Sequence, residues 1–321
     1  MKILIIRFSS IGDIVLTTPV VRCIKQQLGA ELHFLTKKPF ANILLSNPYI
    51  DKVFSIDKKT SEVKTALQAE KYDRVIDLHN NLRSLQIKRF LHTKSFSFDK
   101  INIHKWLIVN AKINILPKNH IVDRYLDTVK KLGVKNDFQG LDYFIPSKDE
   151  VSVEQPYIAF VIGAAHATKR LPMEKIVDIC KKIKYPIVLL GGKDEREIGA
   201  NIAALSGVHV KNTCGEYNLN QSASLVKQAA CVVTHDTGLM HIAAAFQKKI
   251  ISIWGNTIPE FGMYPYFSSG IENNISIEVK GLACRPCSKI GHNTCPKKHF
   301  NCMNQINTNE VAEIIEKFWA V

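Results

Sequence analysis

The sequence predicts an α/β protein made of two domains, each wound around a largely parallel sheet. Three observations carry this reading. The chain has 321 residues, 46% of them hydrophobic, which is enough for a large core and, by ordinary domain sizes, better divided in two. Short apolar runs of strand length alternate with segments of helical period, as expected for parallel strands covered by helices. The alternation stops at a polar stretch from Pro146 to Pro156 and then begins again, which places a linker there.

In order, the chain opens with a strand-like run from Lys2 to Phe8, a small-residue loop Ser9-Ser10-Ile11-Gly12, and a helical pattern from Asp13 to Leu28. Strands are expected at Glu31 to Leu35, Lys52 to Ser55 and Arg74 to Leu78, with helical stretches at Ala41 to Leu45 and Ser61 to Glu70. A helix from Ile121 to Leu132 stops at Gly133. The second series has strands at Tyr157 to Ile162, Pro186 to Leu190, Val208 to Lys211, Ala230 to Thr234 and Lys249 to Trp254, with a helix from Met173 to Ile183. A cysteine-rich loop over residues 281–303 precedes a last helix, Thr308 to Trp319, whose Thr308 and Glu310 suit a helix start. The expected domains are residues 1–150 and 151–305, with residues 306–321 as a C-terminal helix.

Charge and hydropathy narrow the function. The apolar runs fall far short of the roughly 20 residues needed to span a bilayer, and Lys2 to Arg7 has no signal-peptide pattern, so a cytoplasmic location is expected. The net charge is +14, concentrated in residues 1–150, where 25 Lys and Arg stand against 15 Asp and Glu, a net +10. Such an excess suits an acidic partner: a phosphorylated substrate, an anionic membrane surface or nucleic acid. It is equally explained by solubility alone. Nucleic acid is disfavoured, because there is no zinc-finger repeat, RNP-like aromatic motif or basic recognition helix.

The most informative segment runs from Cys231 to Ala245, where an apolar strand, the turn Thr234-His235-Asp236-Thr237-Gly238 and an Ala-rich helix are adjacent. A helix beginning at Asp236 or Thr237 offers unpaired N–H groups and a positive dipole end, and Gly238 lets a ligand approach the backbone, so a diphosphate fits there. Asp236 would repel phosphate; it either accepts hydrogen bonds from sugar hydroxyls or caps the helix. His241, one turn along, reaches the same place or is a satisfied core histidine. In the first half, the turn Arg7-Phe8-Ser9-Ser10-Ile11-Gly12-Asp13 lacks both G-x-G-x-x-G and the P-loop lysine, which argues against a standard NAD or ATP site. At the carboxyl edge of the first strand, Asp13 is either a general base in the ligand crevice or a structural helix-start residue. The cysteines Cys284, Cys287, Cys295 and Cys302 lie within one short loop, where a metal is more natural than disulfides in a reducing compartment. Only Cys284-x2-Cys287 has the usual knuckle spacing.

Taken together, several segments resemble glycosyltransferase family 9, the lipopolysaccharide heptosyltransferases. They are Arg7 to Asp13, Asp77-Leu78-His79-Asn80-Asn81-Leu82-Arg83-Ser84, Gly163-Ala164 with Lys169-Arg170-Leu171-Pro172, Gly191-Gly192-Lys193-Asp194-Glu195, and Asp236-Thr237-Gly238-x-x-His241. Their order and spacing run nearly end to end. The resemblance implies the GT-B fold, two Rossmann-like domains facing a central cleft. It implies an inverting transfer of heptose from an ADP-sugar to an acidic, lipid-linked inner-core sugar, with no cofactor or catalytic metal required. A GT-B transferase or epimerase using another nucleotide sugar is the alternative, and a basic nucleic-acid-binding protein a distant one.

By the same resemblance, Asp13 is the base and Lys169 the diphosphate lysine, the two sides of the reaction lying on different domains. Donor contacts fall to Gly163, Ala164, Thr168, Glu195, Asp236, Thr237, Gly238 and His241, with Glu195 on the ribose hydroxyls. Leu171 stands where many relatives carry Trp. The acceptor is left to Ser10, Gly12, His79, Arg83, Arg124 and the basic stretch from Lys100 to Lys112, since Arg suits carboxylate and phosphate. Relatives often carry a Cys-rich segment before the last helix, so the four cysteines hold a structural zinc or iron or form a packed loop of free thiols. A lipid-linked acceptor implies peripheral contact with the inner face of the inner membrane.

Overall fold

The computed structural model describes residues 1–153 and 156–320; positions 154 and 155 of the expected linker, and position 321, lie outside the described residues. The chain divides into two compact units, Met1–Ile101 with Asn119–Phe144, and Asn102–Lys118 with Ile145–Val321. This departs from a simple cut at residue 150: the segment Asn102–Lys118 groups with the second unit. The C-terminal helix is no separate piece, because Val311, Ala312 and Ile315 lie in the second unit's core.

The first unit holds five parallel strands, β1 (Lys2–Ile6), β2 (Glu31–Lys37), β3 (Lys52–Ile56), β4 (Arg74–Asp77) and β5 (Ser95–Ser97), in the order β3-β2-β1-β4-β5. Ile3 to Ile6 are all buried, as a strand covered on both faces requires. Leu4 and Ile6 meet Leu35, Phe54, Val75 and Ile87 in one core layer. The helical pattern Asp13 to Leu28 resolves into two helices, Ile11–Val15 and Thr18–Leu28. Pro19 is the cause: it lacks an N–H and clashes with the preceding turn, so it is accommodated only in the first turn of a new helix. The helix expected over Ile121 to Leu132 is α-helical through Val129 and then tightens into a 3-10 turn that Gly133 closes at φ 82.

Among the described residues the second unit holds six parallel strands, β6 (Ile158–Val161), β7 (Ile187–Leu190), β8 (Val210–Asn212), β9 (Cys231–His235), β10 (Lys249–Trp254) and β11 (Asn274–Glu278), in the order β11-β10-β9-β6-β7-β8. Both sheets are Rossmann-like, with the strand order reversing beside the first strand of each unit. In open parallel sheets of this kind, ligands bind beyond the carboxyl ends of the strands that flank the reversal. Those positions are the loops after β1 and β4 in the first unit, and after β6 and β9 in the second.

Candidate active site

In the first unit, the loop after β1 turns back on itself around Asp13. The Ser10 N–H and hydroxyl donate to Asp13 Oδ2 at 3.0 and 2.8 Å, and the Arg7 guanidinium pairs with Oδ1 at 2.5 Å. Arg7 is 8% exposed. It is held in turn by the carbonyls of Ser9 and Leu78, at 2.9 and 2.5 Å, and lies over the Tyr125 ring. Burial by itself would raise the Asp13 pKa, but Arg7 and the Ser10 donors outweigh it, so the carboxylate sits below its ordinary value. Asp13 is therefore charged at neutral pH. Gly12 is buried in the same turn, while Ser10 is exposed.

The loop after β4 is built on Asp77, which is fully buried. One of its oxygens accepts the N–H groups of His79 and Asn80 at 3.1 and 2.7 Å, and the other pairs with Lys88 at 2.9 Å. This brings the His79 ring edge-on to Phe8, centroids 5.2 Å apart, so that the two loops meet. Burial, then Arg7 and Lys100, push the His79 pKa down to about 4, and the ring is neutral. Asn81 caps the helix Leu82–Leu91 by accepting the Ser84 N–H at 3.0 Å, which leaves Arg83 exposed in the first turn. Arg124 is placed differently: it is 6% exposed, on the buried side of the helix Ile121–Val129.

In the second unit, the loop after β6 and the turn after β9 are tied together. Lys169 Nζ pairs with Asp236 Oδ2 at 2.5 Å, and the Thr257 hydroxyl donates to the same oxygen at 3.0 Å. His235 is fully buried, and its Nε2 accepts the Leu171 N–H at 2.9 Å, so the ring proton sits on Nδ1. Its pKa falls to about 4, chiefly by burial. Thr237 is the N-cap of the helix Gly238–Ala245, with no side chain on the helix's first N–H groups. Asp236 thus does not cap the helix; its carboxylate is turned toward Lys169. His241 is 2% exposed, within the helix rather than at its open end.

Glu195 closes the neighbouring turn. Its Oε2 accepts the Gly192 N–H at 2.8 Å, and its Oε1 faces Arg170 at 3.2 Å. Arg170 also donates twice to the Ala164 carbonyl, at 2.8 and 2.6 Å. A Cβ on Gly163 would stand 3.0 Å from the Glu195 carboxylate, so a side chain there would push Glu195 out of place. Thr168 is 2% exposed, and its hydroxyl is spent on the backbone of His292, linking this loop to the cysteine-rich segment.

In that segment Cys284, Cys287 and Cys295 are partly buried and Cys302 is buried. Burial and the neighbouring thiols raise Cys287 to about 11, and burial raises Cys302 to about 11. The Cys287 thiol donates to the Cys284 carbonyl at 3.1 Å. Cys284 and Cys295 are near enough to raise Cys287, and all three to raise Cys302, yet no three of the four sulfurs lie within 4.8 Å of one another. Among the described residues, the group of three or more His, Cys, Asp or Glu with ligand atoms within 4.8 Å is Glu31, His33 and Glu70, whose carboxylates already hold Lys2 and Lys52.

Four residues that the sequence reading gave no role complete the two constellations: Arg7 on Asp13, His235 on Leu171, Thr257 on Asp236 and Arg170 on Glu195. Arg7 and His235 were within reach of the sequence, each being at or just beyond the end of a strand and next to a loop residue already singled out. Thr257 and Arg170 act through contacts that only the fold brings together.

Two Rossmann-like sheets, each with its strand order reversing beside the first strand, are the architecture of the GT-B class. The chain belongs to glycosyltransferase family 9 (heptosyltransferase), whose family model matches residues 60–298. It is 25% identical to lipopolysaccharide heptosyltransferase 1 of Campylobacter coli over 99% of both chains. Among solved structures it is similar to a family 9 glycosyltransferase from Veillonella parvula, with TM-score 0.80 and 19% identity over 99% of this chain and 97% of that one. It is also similar to the E. coli heptosyltransferase WaaC with ADP, with TM-score 0.73 and 22% identity over 99% and 100%.

Proposed function

We propose that this enzyme moves a heptose from ADP-heptose to an acidic, lipid-linked sugar of the lipopolysaccharide inner core, inverting the anomeric centre without a catalytic metal. The observation that carries the reading is the Lys169–Asp236–Thr257 cluster beside a helix start with no side-chain cap. Backbone N–H groups and a lysine together suit a diphosphate. The heptosyltransferase names of the relatives supply the sugar, and the ADP in the E. coli structure supplies the nucleotide.

The chemistry then follows from the groups present. The acceptor hydroxyl attacks the anomeric carbon, the bond from that carbon to the β-phosphate oxygen breaks, and the hydroxyl proton passes to the Asp13 carboxylate. The negative charge left on ADP is met by Lys169 and by the N–H groups at Gly238. Glu195 still has lone pairs for a ribose hydroxyl after accepting from Gly192, and the exposed Arg83 suits an acidic acceptor. His79, neutral, serves as a hydrogen-bonding neighbour rather than a second cation.

A donor screen read by mass spectrometry, with the product's anomeric configuration read by NMR and the assay repeated with chelator, tests this. Transfer from another nucleotide sugar in preference to ADP-heptose, retention of configuration, or loss of turnover with chelator would each sink the corresponding part. Tight, salt-sensitive binding to an oligonucleotide without affinity for ADP-heptose would instead favour a nucleic-acid partner. On this reading the enzyme works in the cytoplasm, at the membrane face where its acceptor is anchored. For the cysteine loop we propose a structural zinc or iron on Cys284, Cys287, Cys295 and Cys302. Their present arrangement would have to contract to form that site, and elemental analysis of protein purified without added metal decides between it and free thiols.

A further inference from the structure

Residues 102–118 of the second unit are partly anchored and partly exposed. The helix Asn102–Trp106 runs into a π turn, Leu107–Ala111, that Lys112 closes in the left-handed region at φ 59. Three side chains anchor the segment: Ile108 is buried with Ile258 and Phe261, and Val109 and Leu116 pack on the same cluster. Lys112 Nζ donates to the carbonyls of Cys284 and Pro286 at 3.1 and 2.9 Å. Four large apolar side chains of the same segment are open to solvent, with Ile103 74%, Trp106 60%, Ile113 53% and Ile115 51% exposed. Lys105, Lys112 and Lys118 are interleaved with them, and the segment contains no Asp or Glu.

Large apolar side chains gathered on one short segment and held out from the core mark a docking surface rather than chance exposure. Tryptophan and isoleucine interleaved with lysine form the composition of an element lying in the bilayer interface. The apolar chains enter the headgroup boundary, the indole stays at that level, and an exposed ammonium group such as that of Lys118 meets lipid phosphate. The cysteine-rich loop on which Lys112 rests has the same character: exposed Ile290 beside Lys289, then exposed Lys297 and Lys298, with no carboxylate between residues 279 and 300. A second copy of the chain is a poor occupant, because two-fold pairing would set one basic segment against another.

We propose that residues 102–118 dock the enzyme peripherally on an anionic lipid bilayer, with Ile103, Trp106, Ile113 and Ile115 entering the interface. The biological sense of this rests on the proposed lipid-linked acceptor; the binding itself does not. The test is sedimentation of the full chain with phosphatidylcholine–phosphatidylglycerol vesicles and with phosphatidylcholine alone, for the native sequence and an Ile103→Ser/Trp106→Ser variant. The expected result is binding to the anionic vesicles that weakens with salt, a blue shift of tryptophan emission that the variant lacks, and a partition coefficient lower in the variant by at least about tenfold. Equal binding by both proteins, or no binding to anionic vesicles, overturns the proposal. So does a concentration-dependent dimer that the double substitution abolishes, since the face is then covered by a second copy. Heptose transfer to a delipidated acceptor, run on both proteins, keeps the two readings apart: vesicle binding with no transfer by either protein fails the enzymatic reading and leaves the docking surface standing.

Discussion

Replacing Asp13 by Asn removes one charge and little else, and the structure sets the size of the effect. The amide oxygen can still accept from the Ser10 N–H, now 3.0 Å from the carboxylate, so the turn keeps a reason to form. What disappears is the pair with Arg7 at 2.5 Å and the acceptor for the substrate proton. Positioned general bases contribute roughly 10²–10⁴-fold, and turnover should fall by that factor. Breaking a buried pair by removing one partner costs about 3–5 kcal/mol. Arg7 keeps the Ser9 and Leu78 carbonyls, which places the stability loss near the low end, about 3 kcal/mol. Because Asp13 and the diphosphate cluster lie in different units, the donor's dissociation constant should stay unchanged. The assay pairs coupled ADP release with calorimetry of ADP-heptose and a denaturant titration. Turnover within tenfold of native would refute the base, and a donor affinity that fell in step with turnover would refute its independence from the donor site.

The other expectations concern the groups around Asp13 and Asp236. With Arg7→Met, burial of Asp13 is opposed only by the Ser10 donors and its pKa rises, so the acid limb of kcat/KM should move to higher pH; an unmoved limb would mean that Asp13 is not the titrating base. In the native enzyme the lowered pKa acts the other way: the stability Asp13 contributes is fully present above its unfolded value near 4 and is lost only as pH falls through the lower folded one. Lys169→Ala should weaken ADP by roughly tenfold to a hundredfold, the range for a hydrogen bond to a charged group, and calorimetry that found equal affinity would remove Lys169 from the diphosphate. His235→Phe leaves the Leu171 N–H without its acceptor, which should cost about 1–3 kcal/mol and loosen the Lys169 loop, seen as poorer ADP binding. Because its folded pKa is about 4 against an ordinary 6.5, native His235 destabilises the fold as pH drops from about 6.5 toward 4, and the Phe variant should lose that part of the pH dependence in urea titrations at pH 7 and pH 5.

What was legible in the sequence follows from where the physics is local. Ile3 to Ile6, Ile187 to Leu190 and Cys231 to Val233 are buried on both faces, so they show as unbroken apolar runs. The strands Ser95–Ser97 and Asn274–Glu278 went unmarked because they are outer strands of their sheets, with polar and only partly buried side chains. The helix Leu82–Leu91 was hidden for a related reason: its apolar positions Leu82 and Leu85 face outward, which blurs the helical period. The loops after β1, β4, β6 and β9 could be singled out because strand-to-helix turns carry their own signature of small and polar residues. The partners within those loops could not, since Lys169 and Asp236 are 67 positions apart and nothing in either segment names the other. The segment Asn102–Lys118 joined the second unit for the same reason, through Ile258 and Phe261, far away in sequence.

The Lys169–Asp236 pair also changes the meaning of the turn that first drew attention. A carboxylate next to a diphosphate site is electrostatically costly unless it is neutralised, and here Lys169 and the Thr257 hydroxyl both fall on Oδ2. These side-chain contacts fall on Oδ2 rather than Oδ1, and in the proposed function Oδ1 would be the atom that meets a sugar hydroxyl. Lys169, for its part, is 14% exposed and paired with Asp236. In the proposed reaction an incoming diphosphate would meet a cation already in place. As the bond to ADP breaks in that reaction and negative charge grows on its phosphate, Lys169 would be shared between Asp236 and the phosphate oxygen, the share taken by phosphate rising with that charge. On that reading the pair would favour the leaving group at the moment the bond breaks, which is when stabilisation accelerates the reaction rather than merely tightening the complex.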